Sequence, residues 1–131
     1  MILVDTSVLV DWLRGKTNPA GEKFDHLLDA DQPFGICSIV CQEVLQGAKN
    51  RQEFDLLRGY METQRFFHPS HPTESYVAAA EIYFACRRNG LTIRSTVDCL
   101  IAQIALENDI LLLHNDRDFD FISQVTDLRC Y

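Results

Sequence analysis

The sequence lacks any apolar run long enough to cross a membrane. Its longest apolar stretches, such as Ile110 to Leu113, are far shorter than the roughly 20 residues that a transmembrane helix needs. The opening residues, MILVDTSVLVDWL, contain acids that do not suit a signal peptide. We therefore expect a protein of the cytoplasm without a membrane segment.

The chain also lacks a cysteine pattern for disulfides or zinc. The five cysteines are an odd number without CxxC spacing, which favours reduced, mostly buried thiols. Neither a serine–histidine–acid nor a cysteine–histidine arrangement is evident, so nothing favours a covalent catalytic route. Internal repeats, low-complexity tracts and linkers are absent too, and we expect a single domain over residues 1–131.

Positive charge is scarce. Twelve Lys and Arg against nineteen Asp and Glu give a net charge of −7, the wrong overall sign for holding nucleic acid by bulk electrostatics. A nucleic-acid substrate would need a bound metal and a local basic rim. Candidates for that rim, for which solvated surface charge is the ordinary alternative, are Arg14, Lys16, Lys49, Arg51, Arg87, Arg88 and Arg94.

Short apolar segments alternate with stretches of helical periodicity. The predicted strands are Met1–Val4, Pro33–Cys37, Arg65–His68 and Ile110–Leu113, with Val125–Tyr131 as a last edge strand. The predicted helices begin near Thr6, Ala20, Ser38, Arg51, Thr73 and Ser95. Such alternation predicts an α/β fold of three layers, in which a mainly parallel sheet lies between helices.

Acidic residues follow or accompany these segments at widely separated points. They are Asp5, Glu43, Asp98 and Asp116, the last followed by Asp118. The carboxyl ends of parallel strands meet at one sheet edge, so the acids would share one pocket. Two such charges 4 Å apart repel by roughly 4 kcal/mol at an effective dielectric near 20. A divalent cation, Mg²⁺ or Mn²⁺, would relieve this repulsion and suits phosphoryl chemistry.

We assign direct metal contact to Asp5 and Asp116. Asp98 and Glu43 would hold the ion or its waters, and one of them could accept a proton. The hydroxyls of Thr6 and Ser7 are candidate ligands for a phosphate oxygen or a metal-bound water.

Each of these residues also has an ordinary structural explanation. Asp5 could be no more than a helix cap, and the same holds for Thr6 and Ser7. Asp98 could complete a capping box with Ser95. Glu43 could be an exposed helix acid, and Asp116 a turn residue. Four coincidences at one sheet edge are harder to accept than any one of them. His114 could contact substrate or be an ordinary edge residue.

Four segments together resemble one known family. They are MILVDTSVLVDWLRG, SIVCQEVLQGA, LTIRSTVDCLIAQIALEND and LLLHNDRDFDFI, and they resemble the PIN-domain ribonucleases, especially the VapC-type toxins of bacterial toxin–antitoxin pairs. The resemblance implies that Asp5, Glu43, Asp98 and Asp116 correspond to the four active-site acids of the family. It also implies that Asp118 could share the role of Asp116.

The resemblance also implies an activity and partners. These are Mg²⁺- or Mn²⁺-dependent endonucleolytic cleavage of RNA, commonly structured RNA such as transfer RNA, together with homodimerisation and inhibition by a cognate VapB-like antitoxin whose tail covers the acidic pocket.

Two alternatives belong to other classes. A phospho-acceptor receiver domain needs a lysine near its carboxyl terminus, whereas this chain has none after Lys49, and its central segment FFHPS ends without an aspartate. A catalytically silent module that binds RNA or protein is compatible with the sequence.

Overall fold

The computed structural model describes all 131 residues. Its strands are β1 (Ile2–Val4), β2 (Phe34–Cys37), β3 (Arg65–Phe67) and β4 (Leu111–Leu113). Its helices are α1 (Thr6–Leu13), α2 (Pro19–Asp29), α3 (Ser38–Gln46), α4 (Arg51–Glu62), α5 (Glu74–Arg88), α6 (Thr96–Glu107) and α7 (Arg117–Val125). None of these helices has the length and apolar character that a bilayer span requires.

The four strands form one sheet in the order β3-β2-β1-β4, and every pairing is parallel. Strand β1 lies in the interior of the sheet, where Leu3 is opposite Gly35 of β2 and Leu112 of β4. All three residues of β1 are buried, as expected for a parallel strand covered on both faces. The predicted α/β fold with a parallel sheet flanked by helices is confirmed.

The helices fall into two packed groups. Helix α1 packs against α2 and α3, and α3 packs against α4, while α5, α6 and α7 pack against one another. A single core of 29 buried residues links these groups to the sheet, and its largest fully buried side chains include Phe24, Phe119, Leu3 and Ile101. The sheet edge that carries the strands' carboxyl ends therefore rests on a rigid base.

The prediction of an edge strand over Val125–Tyr131 is corrected. Helix α7 runs through Val125, and the rest of the segment makes one isolated parallel bridge, between Leu112 and Cys130. Two backbone hydrogen bonds hold it, from Leu112 N–H to the Arg129 carbonyl at 3.0 Å and from Tyr131 N–H to the Leu112 carbonyl at 2.9 Å. Only Val125 of the predicted strand belongs to α7, and the residues after it pair with β4 through Cys130 alone.

Candidate functional site

Three aspartates from two separate segments converge at the carboxyl edge of the sheet. One carboxylate oxygen each of Asp98, Asp116 and Asp118 lies within 4.8 Å of the other two. Asp98 is in the first turn of α6, Asp116 caps the start of α7, and Asp118 is in the first turn of α7. Asp98 and Asp118 are buried, with 8% and 0% of their surface exposed. The cluster thus combines acids that lie about twenty residues apart in the chain.

Two oxygens of this cluster have no hydrogen-bond partner. Asp98 Oδ2 and Asp118 Oδ1 are buried and accept no hydrogen bond. A buried polar atom without a hydrogen-bond partner is costly, and Arg94 is the one cation set against these three carboxylates. Hard oxygen donors in a group of this size are the ligands that Mg²⁺ and Mn²⁺ prefer. The residues present therefore fit a divalent cation.

The electrostatics of Asp98 point the same way. Burial, followed by the charge of Asp5, raises the pKa of the Asp98 carboxyl to about 8. A hydrogen bond to Asp118, which only the protonated form of Asp98 can make, and the charges of Asp116 and Asp118 act in the same direction. Ionising Asp98 beside these neighbours therefore costs stability even with Arg94 present, and a divalent cation would offset that cost.

Asp5 lies in the same region and is fixed by its neighbours. It is buried and follows β1 directly, and its Oδ2 accepts the backbone N–H of Ser7 at 2.9 Å and the Ser7 hydroxyl at 2.5 Å. The Ser7 hydroxyl oxygen in turn accepts the backbone N–H of Asn115 at 2.9 Å. Burial raises the pKa of Asp5, and its hydrogen bonds to Ser7 oppose that rise. Ser7 thus joins Asp5 to the loop that leads into Asp116.

Glu43 lies in α3 and contacts Thr6, the residue after Asp5. The Thr6 hydroxyl donates a hydrogen bond to Glu43 Oε1 at 2.9 Å. Desolvation of the carboxylate raises the pKa of Glu43, the hydrogen bond from Thr6 lowers it, and the charge of Asp5 raises it further. The charge of Asp5 therefore acts on both Glu43 and Asp98, but neither Asp5 nor Glu43 belongs to the cluster that Asp98, Asp116 and Asp118 form within 4.8 Å.

The two hydroxyls predicted to contact substrate are engaged within the protein. Thr6 holds Glu43, and Ser7 holds Asp5 and Asn115. Their observed contacts orient the acids and leave no evident hydroxyl for a phosphate. The sequence prediction of a substrate contact therefore has a structural alternative, namely positioning.

Comparison with known proteins gives the family. The PIN domain family model matches residues 2–124. The chain belongs to the PIN-domain family. It is 33% identical over 130 residues to the VapC ribonuclease Mb1587 of Mycobacterium bovis, covering 98% of this chain and 96% of the relative. Ribonuclease VapC11 of Mycobacterium tuberculosis has the same identity and coverage.

Solved structures share the fold of this PIN domain. One is VapBC2 from Rickettsia felis bound to a DNA fragment from their promoter, with a TM-score of 0.74, 19% identity and coverage of 100% of this chain and 98% of the other. Another is VapBC-1 from nontypeable Haemophilus influenzae, with a TM-score of 0.73, 19% identity and coverage of 100% and 97%. The predicted resemblance to VapC-type PIN domains is confirmed, and the receiver alternative is excluded.

Sequence reasoning underestimated one residue of the PIN site, Asp118. Its Oδ2 accepts the backbone N–H groups of Arg94 and Ser95, at 3.0 and 3.2 Å. Asp118 therefore joins the start of α6 to α7, while it contributes to the acidic cluster. The signals in the sequence were its position two residues after Asp116 and the family resemblance, which let it share the role of Asp116; neither indicated its hydrogen bonds to the start of α6.

Arg94 also has an environment that its sequence position did not indicate. Expected at a phosphate-binding rim, it instead contacts the acids, with one guanidinium nitrogen 3.0 Å from Asp116 Oδ1 and Nε 3.6 Å from Asp118 Oδ1. His114, expected as a substrate contact or edge residue, is largely buried beside Phe119, and its Nδ1 accepts the Asp116 backbone N–H at 3.2 Å. Burial lowers the pKa of His114, so the ring acts as a neutral support for the Asp116 loop.

Proposed function

We propose that this PIN domain is a divalent-metal-dependent endoribonuclease and the toxin of a toxin–antitoxin pair. Two relatives 33% identical over nearly the whole chain are named ribonucleases, and a solved structure of the same fold is a toxin–antitoxin complex from Klebsiella pneumoniae. In this proposal residues 1–131 act as one nuclease domain in the cytoplasm. The proposed substrate is structured RNA, such as transfer RNA.

The observation that carries the proposal is the pair of partnerless buried oxygens in the aspartate cluster. Asp98, Asp116 and Asp118 would hold Mg²⁺ or Mn²⁺, and Asp5 would complete the charge of the pocket from the end of β1. When bound, such an ion lowers the pKa of a coordinated water and stabilises negative charge on phosphate oxygens. These are the two effects that hydrolysis of a phosphodiester needs.

The chain's own residues provide orientation and a proton acceptor. Ser7 fixes Asp5, and Thr6 fixes one oxygen of Glu43, so the second Glu43 oxygen is available to a water. Glu43 has a raised pKa because of desolvation and the nearby Asp5, which brings its basicity closer to that needed for accepting a proton near neutral pH. We therefore propose Glu43 as the general base.

The proposed partners are a VapB-like antitoxin and a second copy of the chain. Exposed apolar side chains support both interactions. Tyr76, Val77 and Phe84 of α5 are 53%, 45% and 58% exposed, and Tyr76 also lines a cavity of about 400 Å³ between α5 and α6. We propose this face of α5 as the dimer surface. Leu56 is 75% exposed in a groove formed by α1, α3 and α4, which we propose as the antitoxin surface.

The direct test is cleavage of end-labelled structured RNA by the purified chain. We expect cleavage with Mg²⁺ or Mn²⁺ and none with EDTA. Asp5→Asn and Asp98→Asn should each lower the rate by about 100-fold or more, since each alters a group that holds or charges the metal site. Asp55→Asn is the matched control, because Asp55 is exposed on α4 and pairs only with Arg51. Full activity of Asp98→Asn would contradict the proposal.

The silent-module alternative predicts a different result in the same experiment. The wild-type protein would then retain RNA on a filter without cutting it, whether or not metal is present. Sequencing the ends of RNA fragments after brief expression in cells would identify the cleaved RNA if the enzymatic proposal is correct. Growth arrest that disappears with Asp5→Asn would connect this cleavage to a toxin role.

A further inference from the structure

Arg94 is the one cation in direct contact with the aspartate cluster. A terminal guanidinium nitrogen donates to Asp116 Oδ1 at 3.0 Å, and Nε lies 3.6 Å from Asp118 Oδ1. The Arg94 side chain is nevertheless 60% exposed, and it makes no other hydrogen bond or ion pair. Its position thus depends on the acids that are proposed to hold the metal.

The contact uses two of the three carboxylates that would hold a metal. Asp118 Oδ1 is buried and accepts no hydrogen bond, and its one cationic neighbour is the Arg94 guanidinium at 3.6 Å. Asp116 Oδ1 already accepts the Asp118 backbone N–H at 3.0 Å in addition to the guanidinium. A divalent cation and the guanidinium therefore compete for the same negative charge.

Arg94 can leave without disturbing the backbone. Its own backbone N–H is held by Asp118 Oδ2 at 3.0 Å, so the start of α6 remains fixed whichever way the side chain points. Because the side chain is exposed and the backbone is anchored, the guanidinium can rotate away from the acids. It then still lies within one side-chain length of the pocket. A guanidinium binds phosphate through two parallel N–H donors more readily than an ammonium does.

We infer that Arg94 is a tethered counter-ion, which offsets the negative charge of the acidic pocket in the metal-free protein. When a divalent cation binds Asp116 and Asp118, the guanidinium leaves these carboxylates. It then pairs with an RNA phosphate at the rim of the pocket. This inference rests on the proposed ribonuclease function for its last step only. Replacement of the Arg94 guanidinium by a divalent cation does not require RNA. The inference about Arg94 and the proposed ribonuclease function can therefore fail separately.

The first test is calorimetric titration of the purified full chain with Mn²⁺ alone, at about 0.15 M salt. Arg94→Gln should bind Mn²⁺ about 2- to 5-fold more tightly than wild type, the size expected when a partly exposed competing ion pair is removed. Arg117→Gln is the matched control, since Arg117 is exposed, adjoins Asp116 in the chain and makes no ion pair. It removes the same charge without removing the contact, so its Mn²⁺ affinity should change clearly less.

The second test uses RNA at saturating Mn²⁺. Arg94→Gln should raise KM several-fold while changing kcat little, and Arg94→Lys should restore part of the KM because it keeps the charge without the planar donor pair. A purely structural role would not separate KM from kcat or respond to lysine in this way. Circular dichroism of each variant checks the fold.

Three results would overturn the inference. They are an Mn²⁺ affinity of Arg94→Gln equal to wild type, an equal gain in Arg117→Gln, and an unchanged KM in an active Arg94→Gln enzyme. If Arg94→Gln binds Mn²⁺ more tightly but the wild-type protein cuts no RNA, the counter-ion exchange is supported and the proposed function is refuted.

Discussion

Asp118 Oδ2 lies 3.2 Å from the backbone nitrogen of Ser95 and accepts its N–H, although the two residues are 23 positions apart. Ser95 precedes α6, and its own side chain makes no capping hydrogen bond. A carboxylate of α7 thus satisfies a free N–H group at the start of α6 and complements the helix dipole. Because Asp98 is in the first turn of α6, this contact fixes Asp98 relative to Asp116 and Asp118.

This relationship predicts different effects of two substitutions at Asp118. Asp118→Asn keeps an oxygen that can accept the N–H groups of Arg94 and Ser95, whereas Asp118→Ala leaves both without a partner. Both variants lack the charge, so their difference reports the lost hydrogen bonds together with the side-chain volume that alanine removes from this buried position. We expect the alanine variant to be less stable than the asparagine variant by about 1–3 kcal/mol in urea unfolding with EDTA. Equal stability of the two would show that these bonds contribute nothing.

Ser7 is predicted to act through the two groups that it joins. Ser7→Ala removes the hydroxyl between Asp5 and the Asn115 backbone, and we expect RNA cleavage to fall by about 10- to 100-fold, as for loss of a supporting hydrogen bond around a metal site. The measurement is the initial cleavage rate at saturating Mn²⁺. Ser123→Ala is the control, since Ser123 bonds only to carbonyls of its own helix. A similar loss of activity in both variants would argue against positioning by Ser7.

The sequence was sufficient to predict the fold and the region of the site, because both depend on local patterns. Apolar segments followed by capping residues identified the strand-to-helix corners, and Asp5 does cap α1. The parallel order of the strands then brings Asp5 and Asp116 to the same edge. This is why acids that are distant in sequence could be assigned to one pocket in advance.

The contacts that the sequence did not indicate depend on side-chain direction across long separations. Ser95 and Asp98 have the spacing of a capping box, but Asp118 supplies the hydrogen bond instead. From the sequence, Arg94 was expected at a phosphate-binding rim, but its guanidinium contacts Asp116. No periodicity distinguishes these outcomes, because they are decided by the packing of α6 against α7.

Gly35 provides a stability test of the sheet beneath the site. A Cβ atom there would lie 2.5 Å from Phe67 Cε2 and 2.8 Å from the Arg65 carbonyl oxygen, too close for β2 and β3 to keep their pairing. We expect Gly35→Ala to lower the free energy of unfolding by about 1–3 kcal/mol, measured in urea. In Gly59→Ala a Cβ meets nothing within 4 Å in α4, and stability should rise by about 0.5–1 kcal/mol. Destabilisation of both variants to the same extent would contradict the steric explanation.

The acidic pocket predicts that the metal-free protein loses stability as the pH rises. The Asp98 carboxyl has a folded-state pKa of about 8 against an ordinary value of 3.8, so between these values the folded state holds more protons than the unfolded state. The stability from the neutral carboxyl is complete below the ordinary pKa and is lost as the pH rises through the folded pKa. Asp5 and Glu43 are shifted in the same direction.

We therefore expect the Tm in EDTA to fall between about pH 5 and about pH 8.5, and Asp98→Asn to weaken that fall and to have the higher Tm at the upper pH. Mn²⁺ should raise the Tm of wild type most at the upper pH, because the carboxylates must be ionised to bind it. Asp55→Asn, whose carboxylate is exposed, should follow the wild-type curve in EDTA. A wild-type Tm that rises with pH in EDTA would mean that the acids do not repel one another in the folded protein, and the case for a divalent cation in this pocket would lose its electrostatic basis.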